Sequence, residues 1–96
     1  MISVLLIDRD AGRVAAAADL LARCGYCPLT ARGDDEALSL LRQAPVQAVL
    51  ASCRRDLVDA IRRLFPALPV VSLRGDEAPA RVLDAVGRCL PRDLAA

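Results

Sequence analysis

The stretch Val4-Leu5-Leu6-Ile7-Asp8-Arg9-Asp10 decides how the rest of the chain is read. Ile2 to Ile7 is nearly continuous in apolar residues and rich in branched ones. That is the pattern of a strand buried on both faces, not of one with a wet side. The run stops at Asp-X-Asp, and a helical pattern follows at once, with Val14, Ala17, Ala18, Leu21 and Ala22 recurring at three and four. Asp10 stands where it can cap that helix. A first strand with no solvent face needs cover on both sides, which only a layered α/β arrangement supplies.

Outward from this stretch the same alternation repeats. Cys24-Gly25 ends the first helix, with Gly25 where a left-handed cap is needed. Tyr26 to Ala31 reads as a second strand. Gly33-Asp34-Asp35-Glu36 reads as a loop and the acidic first turn of a helix, its carboxylates near the positive end of the dipole. Ala37, Leu38, Leu40 and Leu41 form that helix's buried side, and Pro45 stops it. Val46 to Ser52 is a third strand. Arg54 to Phe65 is a third helix, with Leu57, Val58, Ile61, Leu64 and Phe65 on one side and Arg54, Arg55, Arg62 and Arg63 on the other. Pro69 to Leu73 is a fourth strand, and Ala78 to Leu90 a last helix through Val82, Leu83 and Val86. Pro91 ends it, and residues 91–96 read as a frayed tail or the start of a linker. Four strands alternating with four helices predict a doubly wound, flavodoxin-like parallel sheet of order 2-1-3-4. Residues 1–96 read as one small domain.

Composition narrows the function. Apolar residues make up 55% of the chain, but only Tyr26 and Phe65 are aromatic, so the core must be Leu, Val, Ile and Ala. Thirteen basic residues oppose twelve acidic ones, net +1. That balance gives no reason to expect nucleic acid or an anionic membrane as partner. No apolar stretch approaches the roughly 20 residues that span a bilayer. Met-Ile-Ser-Val carries no basic leader, so a cytoplasmic location is expected. All thirteen basic residues are arginine; the chain has neither lysine nor histidine. Without a histidine or lysine base, and with no serine or cysteine beside an evident base, no catalytic site is expected.

The chain resembles the receiver domains of bacterial response regulators over residues 3 to about 75. The likeness rests on Val4-Leu-Leu-Ile-Asp8, on Leu20-Leu-X-X-X-Gly25-Tyr26, on Pro45-Val-Gln-Ala-Val-Leu-Ala51 and on Leu68-Pro69-Val-Val-Ser-Leu73. It implies the receiver (CheY-like) version of the flavodoxin-like sheet, here truncated to about four strands. It also implies a phosphorylation pocket, and this chain departs from that pocket position by position. The adjacent acidic pair that holds magnesium in receivers corresponds to Asp8 and Arg9, and an arginine cannot ligate the ion. The phosphoacceptor aspartate corresponds to Ala51, with Ser52 next. The serine or threonine of the fourth strand corresponds to Arg74. The fifth strand and its lysine have no counterpart. Arg9 and Arg74 are expected to approach Asp8 and hold it ionised without metal.

The resemblance therefore implies a receiver-like regulatory domain that needs no phosphorylation, no cofactor and no metal. Its action would be protein–protein contact or self-association in bacterial signalling or transcription control, as in the N-terminal domains of some transcription activators. Loss of the fifth strand leaves the fourth as an edge that invites pairing. Val70, Val71, Leu83, Val86 and Leu90 are the expected interaction surface for a protein partner or homodimer. No small-molecule substrate, direct nucleic-acid contact or membrane contact is expected.

Two other readings stay open. One is a receiver that does accept a phosphoryl group, using Asp8 or Asp10 with another acceptor. The other is a small redox or metal module on the cysteines, because Cys24-Gly25-Tyr26-Cys27 has the spacing of such a pair. Against it, a thioredoxin-type pair opens a helix, where the dipole lowers the thiol pKa, and this pair closes one. The four cysteines are expected instead to be reduced, buried small apolar groups.

Overall fold

The computed structural model describes residues 2–52, 55–73 and 79–89. Strand β1 (Ser3–Asp8) leads into helix α1 (Ala11–Arg23), then β2 (Cys27–Ala31), α2 (Asp34–Gln43), β3 (Ala48–Ser52), α3 (Arg55–Leu64), β4 (Val70–Ser72) and α4 (Pro79–Cys89). The four strands form one parallel sheet of order β2-β1-β3-β4, as the alternation predicts.

Strand residues alternate between faces, and the core divides accordingly. Val4, Leu6, Ala48 and Leu50 face Ala17 and Leu21 of α1 and Val82 and Val86 of α4. Leu5, Ile7, Val49 and Ala51 face Ala37 and Leu41 of α2 and Leu57, Val58 and Ile61 of α3. Val4 to Ile7 are at most 4% exposed, so the two-sided burial read from the first strand holds. Gln47 ties the start of β1 to β3: its side-chain Oε1 accepts from the Ser3 N–H at 2.6 Å, and its own N–H donates to the Ser3 carbonyl at 2.9 Å.

Helix ends follow local chemistry. Asp10 caps α1 by accepting from the Arg13 N–H at 3.1 Å. At the other end the Gly25 N–H bonds the Ala22 carbonyl and the Tyr26 N–H bonds the Leu21 carbonyl. This is a Schellman closure, and it needs Gly25 at φ +92°.

Three expectations change. Leu64, read as inward-facing, is 55% exposed. Leu64 and Phe65 stand three and four residues after buried Ile61, and Phe65 is the one packed against the core. Cys24 is exposed and Cys27 half-buried, and both are free thiols rather than core groups; the side chains of Cys53 and Cys89 lie outside the described residues. Val86 is fully buried and Leu83 partly buried against the α1–α4 core, because α4 lies on α1 and β3. Val86 belongs to the monomer's interior and is not free for a partner, whereas Leu83 keeps part of its surface exposed; Leu90 lies outside the described residues.

Val86→Asp should therefore unfold the chain and not merely separate two copies. A buried unpaired carboxylate costs several kcal/mol, a large part of the about 5–15 kcal/mol typical of a domain. Urea unfolding followed by circular dichroism should show no native baseline for this variant, or a midpoint far below wild type.

Candidate functional site at the carboxyl end of the sheet

The order β2-β1-β3-β4 reverses chain direction across the sheet between β1 and β3. In doubly wound sheets this switch point opens a crevice beyond the carboxyl ends of the two strands. Asp8 ends β1 and Ser52 ends β3, and the two are paired in register. Asp8 follows Val4 and Leu6 in alternation, and Ser52 follows Ala48 and Leu50, so both lie on the α1–α4 side. They border a cleft of about 240 Å³ whose walls include Leu6, Ala17, Leu50, Leu73 and Val82.

Asp8 is only 12% exposed, and Arg13 grips it. Arg13 Nε donates to Oδ2 at 3.0 Å and Nη2 donates to Oδ1 at 3.1 Å, the two-pronged geometry that makes arginine–carboxylate pairs strong. The Asp10 N–H donates to Oδ1 at 2.9 Å. Arg13 Nη1 also stands 3.8 Å from Asp10 Oδ2, so one guanidinium bridges both carboxylates of Asp-X-Asp. Burial pushes the Asp8 pKa up. The Arg13 hydrogen bonds and charge and the Asp10 and Arg9 backbone N–H groups pull it down, and the net position is below the ordinary 3.8.

The sequence reading assigned this pairing to Arg9 and Arg74. Arg13 supplies a guanidinium on Asp8 that this reading did not name, while the Arg9 side chain is exposed; Arg74 lies outside the described residues. Arg13 sits in the first turn of α1, where a cation opposes the helix dipole. It stays there because helical side chains lean back toward the N-terminus, and that direction delivers it to Asp8 and Asp10. The signal in the sequence is Asp8-X-Asp10-X-X-Arg13, a cap residue with a cation three positions on.

Ala51 is completely buried on the opposite, α2–α3 face. Ser52 is the polar β3 residue that borders the cleft. Val70 is half-buried against the α2–α3 core and Val71 against the α1–α4 core. The magnesium ion that the resemblance implies does not fit these residues. Both Asp8 oxygens are taken by Arg13, arginine follows at position 9, and the β3 residue paired with Asp8 is Ser52, which carries no carboxylate. Among the described residues no group of three or more His, Cys, Asp or Glu side chains could hold a metal. Nor is any described helix long and apolar enough to cross a membrane.

The fold is that of response-regulator receiver domains. CheY4 of Vibrio cholerae superposes with a TM-score of 0.81 at 18% identity, over 94% of this chain and 99% of that one. A LuxR family DNA-binding response regulator from Silicibacter pomeroyi gives 0.79 at 21% identity, over 91% and 88%. NtrX from Brucella abortus gives 0.79 at 21% identity over 94% of this chain, which spans only 26% of NtrX. No family model and no curated protein matches the sequence.

Arg13→Ala should raise the Asp8 pKa, because burial then acts with less opposition. A carboxylate with a lowered folded pKa adds stability above its unfolded value of about 3.9 and loses it as pH falls through the folded value. The variant should therefore be less stable at neutral pH and lose less of that stability on acidification. Carboxyl-carbon NMR titration of Asp8 in both proteins measures the shift directly; superimposable curves would mean the fork does not hold the charge.

Proposed function

We propose that this chain is a receiver-fold regulatory domain that works without phosphorylation, through contact with other proteins, in bacterial signalling or transcription control. The observation that carries the reading is the Arg13 fork on Asp8. In receivers, the resemblance implies, the equivalent carboxylate serves magnesium and the phosphoryl group. Here an internal cation takes both of its oxygens. Ser52, which pairs with Asp8 across the cleft, offers a hydroxyl and not a carboxylate, and the chain contains no lysine to contact a phosphoryl oxygen.

The partner under this reading is a protein, either a second copy of the chain or another signalling component, in the cytoplasm. No small-molecule substrate, nucleic acid or membrane surface is part of it. The redox or metal reading of the cysteines loses support, because Cys24 closes α1 where a thioredoxin-type pair opens a helix, and among the described residues no group of three or more His, Cys, Asp or Glu could hold a metal. A phosphoryl-accepting domain is the second reading, favoured by two carboxylates and Ser52 at the switch point.

Incubation with magnesium and acetyl phosphate, followed by intact-mass measurement, separates the two. The expected result is an unmodified chain and no magnesium-dependent change in its amide NMR spectrum. A stoichiometric phosphoryl adduct lost in Asp8→Asn or Ser52→Ala would establish the second reading in its place.

A further inference from the structure

β4 is the last strand of the described sheet, and no described element pairs with its outer side. In a parallel ladder the backbone groups of one strand point alternately to its two neighbours. The Val49 N–H bonds the Pro69 carbonyl at 2.9 Å, and the Leu73 N–H bonds the Ala51 carbonyl at 2.7 Å. Residues 69, 71 and 73 thus face β3, and the N–H and C=O groups of Val70 and Ser72 face away from the sheet. One of these four outward groups is already taken: Arg62 Nη2, from exposed Arg62 on α3, donates to the Val70 carbonyl at 3.1 Å.

The outward groups are self-complementary. In an antiparallel pair, two residues that oppose each other at a hydrogen-bonded position exchange both N–H···O=C bonds. A two-fold axis through Val71 sets Val70 of one copy against Ser72 of the other, and the reverse. All four outward groups of each edge then find partners, in the isologous arrangement that closes at a dimer. No other antiparallel register of this three-residue edge pairs both residues. Ser72 is exposed, so nothing described covers the approach.

We propose that the β4 edge is a pairing surface for a second copy of this chain, and that Arg62 is the latch that holds it shut. Arg62 occupies the acceptor that the incoming Ser72 N–H needs, and it places a cation on the edge, a common means of blocking strand addition. Each dimer must release two latches. This takes up the second-copy arm of the proposed partner, but it rests on the edge and not on the Asp8 pocket, so the acetyl phosphate experiment can fail without touching it.

Sedimentation equilibrium on wild type, Arg62→Ala and Arg62→Ala/Ser72→Pro decides the matter, with thermal melts to show that each is folded. Proline removes the outward N–H of Ser72 without removing a bond to β3, and an edge position tolerates it. Wild type should stay monomeric to about 1 mM, the weak end of specific association. Arg62→Ala should dimerise about ten- to a hundredfold more tightly, the effect of freeing two hydrogen-bonded acceptors. The added Ser72→Pro should return it to monomer. A monomeric Arg62→Ala protein would overturn the proposal. So would a wild-type dimer of equal strength, or association that Ser72→Pro leaves intact, which would place the contact elsewhere.

Discussion

Val4, Leu5, Leu6 and Ile7 are buried from both sides, and the other elements are arranged by that demand. A strand with no wet face must lie inside a sheet and between layers of helix. β1 accordingly takes the interior position between β2 and β3, with α1 and α4 on one face and α2 and α3 on the other. Once β1 and β3 are neighbours, the switch point falls between their carboxyl ends. Asp8, the first polar residue after the run, has no other place to go. The position of the candidate site is thus a consequence of packing.

Asp8 then meets a problem of its own. Burial alone would favour its neutral form, yet the carboxylate lies at the N-terminal end of a helix, a place suited to negative charge. Arg13 settles the balance with two charge-assisted hydrogen bonds and a reach to Asp10. One arginine does what a bound cation does elsewhere: it neutralises crowded carboxylates and fixes their orientation. Unlike a bound ion, it cannot leave. A pocket neutralised by a side chain of its own helix needs no bound ion to fix its geometry.

Much of the fold was legible because its signals are redundant. Each apolar strand run has Gly, Pro or Asp close by on at least one side, and the interior place of β1 follows from the two-sided burial of Val4 to Ile7. The errors share a different cause. Periodicity shows that a helix has an apolar stripe without showing what covers it, so Val86 could be read as an open surface when it is buried against α1 and the sheet. Ile61 can be followed inward by Leu64 or by Phe65, and only packing shows that Phe65 takes the place. At the site, Asp8 was legible as the end of a run. Its partner was not, because adjacency in sequence suggested Arg9, whereas the first turn of a helix brings Arg13 back to the strand end. Ser52 was passed over for Ala51 because counting along a motif ignores which face each strand residue occupies.

The outer side of β4 shows what a short sheet must do with its last strand. Three residues offer few hydrogen bonds to a newcomer, and Val70 and Val71 are already committed to the two cores. What remains attractive is the backbone itself, two donors and two acceptors at ladder spacing. A charged side chain from the preceding helix is well placed to blunt it. α3 packs against β4, so residues on its outer face lie within reach of the edge, and Arg62 is long enough to span the distance while its head stays in water. The same guanidinium that makes the edge unattractive can let go at the cost of one exposed hydrogen bond. A barrier of that size discourages accidental association and still yields to a partner that supplies a matching strand.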